Sequence, residues 1–199
     1  MKHTPHFLLT DPDEVKRLIR ENPWATFVSN TSKGLVASHY PVMVDEDADE
    51  LTIVSHFGRP DERNHEVGEH EMLVIIQGPH DYVSASWYDP GQLAATWNHV
   101  TAHLYGVPEV LSEAETYEAL SALTDYLEHP YPEGRSLDED EAWSGDLAKG
   151  AVGVRMRVTR FDARAKVSQN KPQHVYERVV TEFDKSNPRL AAEMRHFNE

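Results

Sequence analysis

The chain has no cysteine among its 199 residues. That removes disulfides, thiolate metal sites and a cysteine nucleophile at once. It also lacks any apolar run approaching the ~20 residues that a membrane-spanning helix needs. Positive charge is scarce: 19 Lys and Arg stand against 34 Asp and Glu, a formal charge of −15. Affinity for nucleic acid rests largely on neutralising phosphates, so this balance opposes DNA binding by the chain as a whole. The opening MKHTPHFLLTDPDE has neither the apolar core nor the small-residue cleavage site of a secretory signal, and a cytoplasmic location is expected. Also absent are a glycine-rich dinucleotide fingerprint, a phosphate-binding loop, a G-x-S-x-G elbow, an HExxH pair and a helix-turn-helix pattern.

What is present reads as alternating strands. WATFVSN and LVASHYPVMV flank the turn TSKG, and LTIVSH (51–56) follows an acidic turn. EMLVIIQG (71–78) reads as a buried strand that Gly78 and Pro79 end, before a separate strand DYVSASWY (81–88). TWNHVTAHLYGVPEVL (96–111) reads as one long strand bent near Gly106, and AVGVRMRVTRF (151–161) as the last. Helices are signalled at TDPDEVKRLIRENP, with Asp11 as cap and Val15, Leu18 and Ile19 as the apolar stripe. They are signalled again after Ser112, where Glu115 completes a capping box, and beyond Pro172, with a restart at Asn187-Pro188. EGRSLDEDEAWSGD (133–146) reads as an acidic connection. The expected class is mainly β, six or seven antiparallel strands closed as a barrel, with peripheral α-helices.

Candidate chemistry is scattered. Histidine is abundant, with 12 residues, but His99 and His103 on one strand face lie roughly 13 Å apart, too far for one metal ion, and His65 and His70 would fit only a loop site, so no metal site is assigned. SHFGRP places Ser55, His56 and Arg59 just after a strand, and arginine's planar fork suits phosphate. Trp87 and Trp97 pair with small hydroxyl and amide side chains, either as core or as a platform for a planar ring. The stretch AKVSQNK (165–171) carries two cations and three polar side chains, which suits either a solvated loop or a site for an anionic ligand. Arg155, Arg157 and Arg160 are where a basic patch would form. The aromatics Trp24, Phe27, Tyr40, Trp87 and Trp97 are too many for one small interior.

Taken together, IRENPWATFVS, the GL-x-A-x-H-x-P strand, SHFGR, GPHDYVSASWY, TWNHVTAHLYG and KVSQNK, in this order, resemble the PaiB-type family of FMN-binding negative transcriptional regulators. The resemblance runs from about residue 5 to about residue 172. Asp61 stands where that family often has Asn, and an acidic insertion ends at Asp146 to Gly150. The resemblance implies an FMN-binding split β-barrel related to pyridoxamine-phosphate oxidase, over residues 1–170 with the inserted helix at 112–129, and a C-terminal helical extension at 171–199. It implies FMN as cofactor and a homodimer with FMN at the subunit interface. It implies flavin contacts from Ser38, His39, Ser55, His56, Arg59, Trp87, Thr96, Trp97, Asn98, Lys166, Ser168, Gln169 and Asn170, with Arg59 at the phosphate. The family role is repression of protease and sporulation genes. A flavin-dependent oxidoreductase acting on a small molecule or a nicotinamide is the alternative, and a haem-binding split barrel the second alternative.

Overall fold

Asp11 accepts the backbone N–H of Asp13 at 2.9 Å and starts helix α1, Pro12–Glu21. Its stripe of Val15, Leu18 and Ile19 is fully buried. The chain, seen in a computed structural model that describes residues 4–198, then forms strands β1 (Leu8–Leu9), β2 (Trp24–Thr31), β3 (Gly34–Val44), β4 (Thr52–Gly58), β5 (Met72–Val83), β6 (Thr96–Gly106), β7 (Glu109–Val110), β8 (Ala151–Arg157) and β9 (Arg160–Lys166). The remaining helices are α2 (Asp61–Asn64), α3 (Glu113–Glu128), α4 (Glu141–Ala148), α5 (Gln173–Ser186) and α6 (Pro188–His196). The class is mainly β with peripheral helices.

Two compact units share these elements. The larger is Lys16–Ile76 with His103–Phe161, and the smaller holds the chain through Val15, Gln77–Ala102 and the residues from Asp162 on. In the larger unit hydrogen-bonded neighbours run β6, β5, β2, β3, β4, β8, β7. Every pairing with a resolved register there is antiparallel, such as Phe27↔Ser38 and Val42↔Ser55. Alternation turns Ala25, Phe27 and Ser29 of β2 inward. Phe27 meets Phe57 edge-on at 5.3 Å, and Phe57 meets Tyr40 at 4.8 Å. Helix α3 covers β8 at Gly153, where a Cβ would meet Thr116 Oγ1 at 2.9 Å, so the close approach requires glycine. The Ser112–Glu115 capping box is formed.

The smaller unit runs β1, β9, β6, β5. Its core is Val83, Val100 and Val167 packed with Val175, Val179, Phe183, Leu190 and Met194 of the last two helices, all fully buried. Each such side chain contributes about 1.5–3 kcal/mol when taken out of water. Asn187 accepts the backbone N–H of Leu190 and starts α6, as the Asn-Pro pair implies.

Five readings of the sequence need correction. Strand β5 runs through Gly78 and Pro79 to Val83. Its pairing with β2 ends at Ile76, so Pro79 lies beyond the residues whose N–H groups that neighbour uses. Residues 85–87 form a 3-10 turn rather than strand, capped by Ser84. The long strand at 96–111 ends at Gly106, and Glu109–Val110 pairs separately with β8. Residues 151–161 are split between β8 and β9, and the acidic connection holds α4, capped by Asp140 accepting from Trp143 N.

Candidate functional site

In the larger unit the candidate residues divide by face. Ser38 lies with Tyr40 and Val42 on the inner side of β3, while His39 points outward and stacks on the exposed Trp24 at 6.3 Å. Ser38 belongs to a closed network. His65, 1% exposed, bonds Ser29 Oγ through Nδ1 at 2.8 Å and Ser38 Oγ through Nε2 at 3.0 Å. Asp61 Oδ2 lies 3.9 Å from the same Nε2 and accepts the Tyr40 hydroxyl at 2.8 Å. Burial holds His65 below the ordinary histidine value, although the Asp61 charge opposes this. Burial acts to raise the Asp61 carboxyl, but hydrogen bonds from Ser38, Tyr40 and Asn64 outweigh it and hold the pKa low.

The SHFGR segment lies at the end of β4. Ser55 is buried and donates to Pro41 O at 2.6 Å, a bond that ties β4 to β3. His56 Nδ1 is cut off from solvent and has no hydrogen-bond partner, and burial lowers its pKa. Arg59 is exposed. Its Nε donates to Lys149 O at 3.1 Å, and its Nη1 faces Glu62 Oε1 across 3.8 Å. Several guanidinium donors therefore remain for a ligand.

In the smaller unit most of the remaining candidates meet. Lys166 Nζ donates to Thr96 Oγ1 at 2.6 Å and to Trp97 O at 2.5 Å. Burial and then the charge of Lys171 lower its pKa. Asn98 and Ser168, both buried, exchange hydrogen bonds at 2.9 and 3.1 Å. Ser168 takes φ 67°, a left-handed conformation that this reciprocal pair holds in place. Gln169 folds back on its own loop, donating to Ala165 O and accepting from Val167 N. Asn170 is exposed, on the wall of an open hollow with Lys171 and Phe7. The Trp97 ring is 54% exposed, beside Tyr82 at 6.0 Å and His80 at 6.3 Å. Trp87 stands apart from this group, its ring edge-on to Phe183 at 5.2 Å and its carbonyl accepting from Arg178.

Sequence reasoning missed three residues of interest. His65 lies in a polar run that reads as beginning with a short helix, and only its burial marks it. Arg164, 2% exposed, bonds Asp162 through Nη2, while its Nε and Nη1 have no partner. Tyr117 Oη is buried without a partner beside Arg59's cavity. None of these follows from spacing, because each depends on what covers the side chain.

Each unit, taken by itself, carries donors that suit an anionic flavin nucleotide. Arg59 has donors to spare, the orphaned ring nitrogen of His56 lies three residues before it, and Lys166 has no carboxylate partner among the described residues. The chain is 29% identical over 98% of its length, and 94% of the relative's, to "Protease synthase and sporulation protein PAI 2" of Bacillus subtilis. Among solved structures it resembles the flavocytochrome Anf3 from Azotobacter vinelandii, with a TM-score of 0.61 and 11% identity over 83% of this chain and 72% of that one. It also resembles the FAD and heme binding protein from Mycobacterium smegmatis, with a TM-score of 0.58 and 14% identity over 80% and 73%. The fold is that of the flavin-binding split-barrel proteins. Residues 1–160 match the family described as "Putative FMN-binding domain", a span that stops short of Lys166; the chain belongs to that family, and its cofactor is FMN.

Proposed function

We propose that this FMN-binding split-barrel protein acts in the cytoplasm as a homodimeric regulator of gene expression of the PaiB type. The observation that carries the reading is similarity across almost the whole chain to a protein named for protease synthesis and sporulation. Bound FMN supplies one- and two-electron redox chemistry. Arg59 holds the flavin phosphate, with the His56 ring nitrogen close by in sequence. Lys166, Trp97 and Thr96 serve a flavin held mainly by the partner subunit. Trp24 on the larger unit, 63% exposed, and Trp97 on the smaller, 54% exposed, each support an apolar surface for a second chain to cover. Light scattering with size-exclusion chromatography reads the mass directly. A single-chain mass with stoichiometric FMN removes the shared site.

A second reading, a flavin-dependent oxidoreductase, is favoured by one specific observation. The strand arginines that would form a basic patch are each matched by an acid: Arg155 by Asp45 at 2.9 Å, Arg157 by Glu50 at 2.8 Å and Arg160 by Glu71 at 2.7 Å. Regulation through the flavin's state or a partner protein is consistent with this, whereas tight unaided DNA binding is not. Two assays separate the readings: a gel shift at physiological salt and steady-state NADH oxidation. Turnover without any effect on DNA or on a DNA-bound partner removes the regulator. The absorption spectrum of the purified protein tests the cofactor itself, two broad bands for flavin against a dominant Soret band for haem.

A further inference from the structure

Behind Arg59 lies a cavity of about 290 Å³ in the larger unit. It is walled by the start of α3, the end of α4 and the first residue of β8, and its polar lining is Arg59, Lys149, Thr116, Tyr117 and Glu113. Two cations face one acid, in a chain whose acids otherwise outnumber its bases. The Tyr117 hydroxyl is cut off from solvent without a hydrogen-bond partner. Its neighbour Ser144 donates its own proton to Leu137 O at 2.7 Å, so it can meet the phenol only as an acceptor. A buried phenol hydroxyl normally finds a partner. Thr116 Oγ1 accepts from Gly153 N at 3.0 Å and keeps its own proton to donate. Lys149 Nζ pairs with Asp146 at 2.6 Å, but both side chains are mostly exposed, so the ammonium can turn without a large cost.

We propose that this cavity is the seat of the flavin's terminal phosphate, and that Lys149 and Tyr117, from the layer of α3 and α4, complete the phosphate site that Arg59 begins. A phosphate monoester brings acceptor oxygens only, and it meets a guanidinium, an ammonium and two hydroxyl donors here. Glu113 is exposed on the same wall. The larger unit therefore selects the phosphorylated cofactor, FMN over riboflavin. This rests on the flavin reading of Arg59, and the test separates the two.

Fluorescence-quenching titrations of the full chain with FMN and with riboflavin give the selectivity directly. Tyr117→Phe and Lys149→Ala should each weaken FMN about three- to tenfold, from the loss of one hydrogen bond to a charged group, and leave riboflavin unchanged. Inorganic phosphate should raise the melting temperature of the wild-type protein more than that of Tyr117→Phe. An FMN-to-riboflavin ratio equal in wild type and both variants overturns the proposal, as does an equal loss for both flavins. If neither flavin binds the wild-type protein, the flavin reading of Arg59 fails, and the phosphate-dependent melting shift alone decides whether the cavity is an anion site.

Discussion

Two groups of cations, the strand arginines of the larger unit and the residues around β9 in the smaller, differ in their partners, although Arg178, Lys185 and Arg195 of the smaller unit are also paired with acids. In the larger unit Arg155, Arg157 and Arg160 are each held by a carboxylate within 2.9 Å. In the smaller unit Lys166 rests on a hydroxyl and a carbonyl, Lys171 lies over the Tyr88 ring at 4.1 Å, and Arg164 keeps two nitrogens without a partner. A chain with 34 acids has the means to pair these three, and among the described residues only Arg164 has an acid, Asp162. Matched cations on strand faces give solubility and little stability, because solvent screens each pair. Cations left to neutral acceptors keep their charge for an incoming anion. Arg59 is an exception within the larger unit, since Glu62 stands 3.8 Å away and its Nε donates to a carbonyl.

The largest expected effect tests that exception. Arg59→Ala should weaken FMN about ten- to a hundredfold, the loss of a charge-assisted bond to phosphate worth about 1.5–3 kcal/mol. Lys166→Ala should cost only about three- to tenfold, since a half-buried ammonium beside the ring meets partial charge rather than a dianion. Titration by flavin fluorescence measures both. A larger loss at Lys166 than at Arg59 would reverse the comparison and move the phosphate into the smaller unit.

The buried pair in the smaller unit comes next. Ser168→Ala leaves the Asn98 amide without its hydroxyl partner at a position with no exposure, and should cost about 1–3 kcal/mol. Ser168→Gly loses the same bond but accepts φ 67° without strain, so it should melt higher than the alanine variant. Thermal unfolding by circular dichroism reads both. If alanine and glycine melt together, the hydrogen bond carries the effect and the left-handed backbone adds nothing.

How much of this was legible beforehand follows from what each feature depends on. Local chemistry was readable: Asp11, Ser112 with Glu115, and Asn187 each start a helix where their side chains dictate. Strand ends were not, where they depend on a neighbour. Val152, Val154 and Met156 are buried in alternation and Val158 continues the pattern, yet β8 stops at Arg157, because Val158 N bonds Leu51 O and Thr159 N bonds Tyr105 O. No glycine or proline marks that corner. Among candidate site residues, Thr96, Asn98, Lys166 and Ser168 came together although 70 residues apart in sequence. Ser38 and His39, adjacent in sequence, point to opposite faces, which the period of a strand already required. Tyr117, His65 and Arg164 owe their interest to burial, and burial is a property of the whole fold.

A smaller effect concerns pH. Burial depresses the pKa of His65 in the folded chain, so the unfolded chain binds a proton at a higher pH than the folded one does. Stability from this source is present above the ordinary histidine value of about 6.5 and is lost as pH falls from there through the lowered folded value. The Asp61 carboxyl, also depressed, loses its share at lower pH, below the ordinary carboxylate range. His65→Gln keeps a side chain able to bond Ser29 and Ser38 but does not titrate. Urea unfolding between pH 7.5 and 5.5 should show a shallower loss in the variant than in the wild-type chain. Parallel curves would assign the acid sensitivity elsewhere, with the half-buried His56 and His99 as the next groups to change.

The smallest effect is the sharpest check on the matched side of the comparison. Arg157 and Glu50 are 64% and 62% exposed, and their 2.8 Å contact lies in water. An ion pair in that position gains little, because solvent and salt screen the charges and two long side chains give up rotamer freedom to meet. Arg157→Ala should therefore leave the melting temperature essentially unchanged, at low salt and at about 0.5 M salt alike. It should leave FMN affinity where it was. It should also leave DNA binding unchanged in a gel shift, because a guanidinium already facing a carboxylate offers little to a phosphate. A marked loss of DNA retention in this variant would mean that Glu50 releases the arginine when nucleic acid arrives. The strand arginines would then be a working surface, and the division between matched cations for solubility and unmatched cations for ligands would not hold.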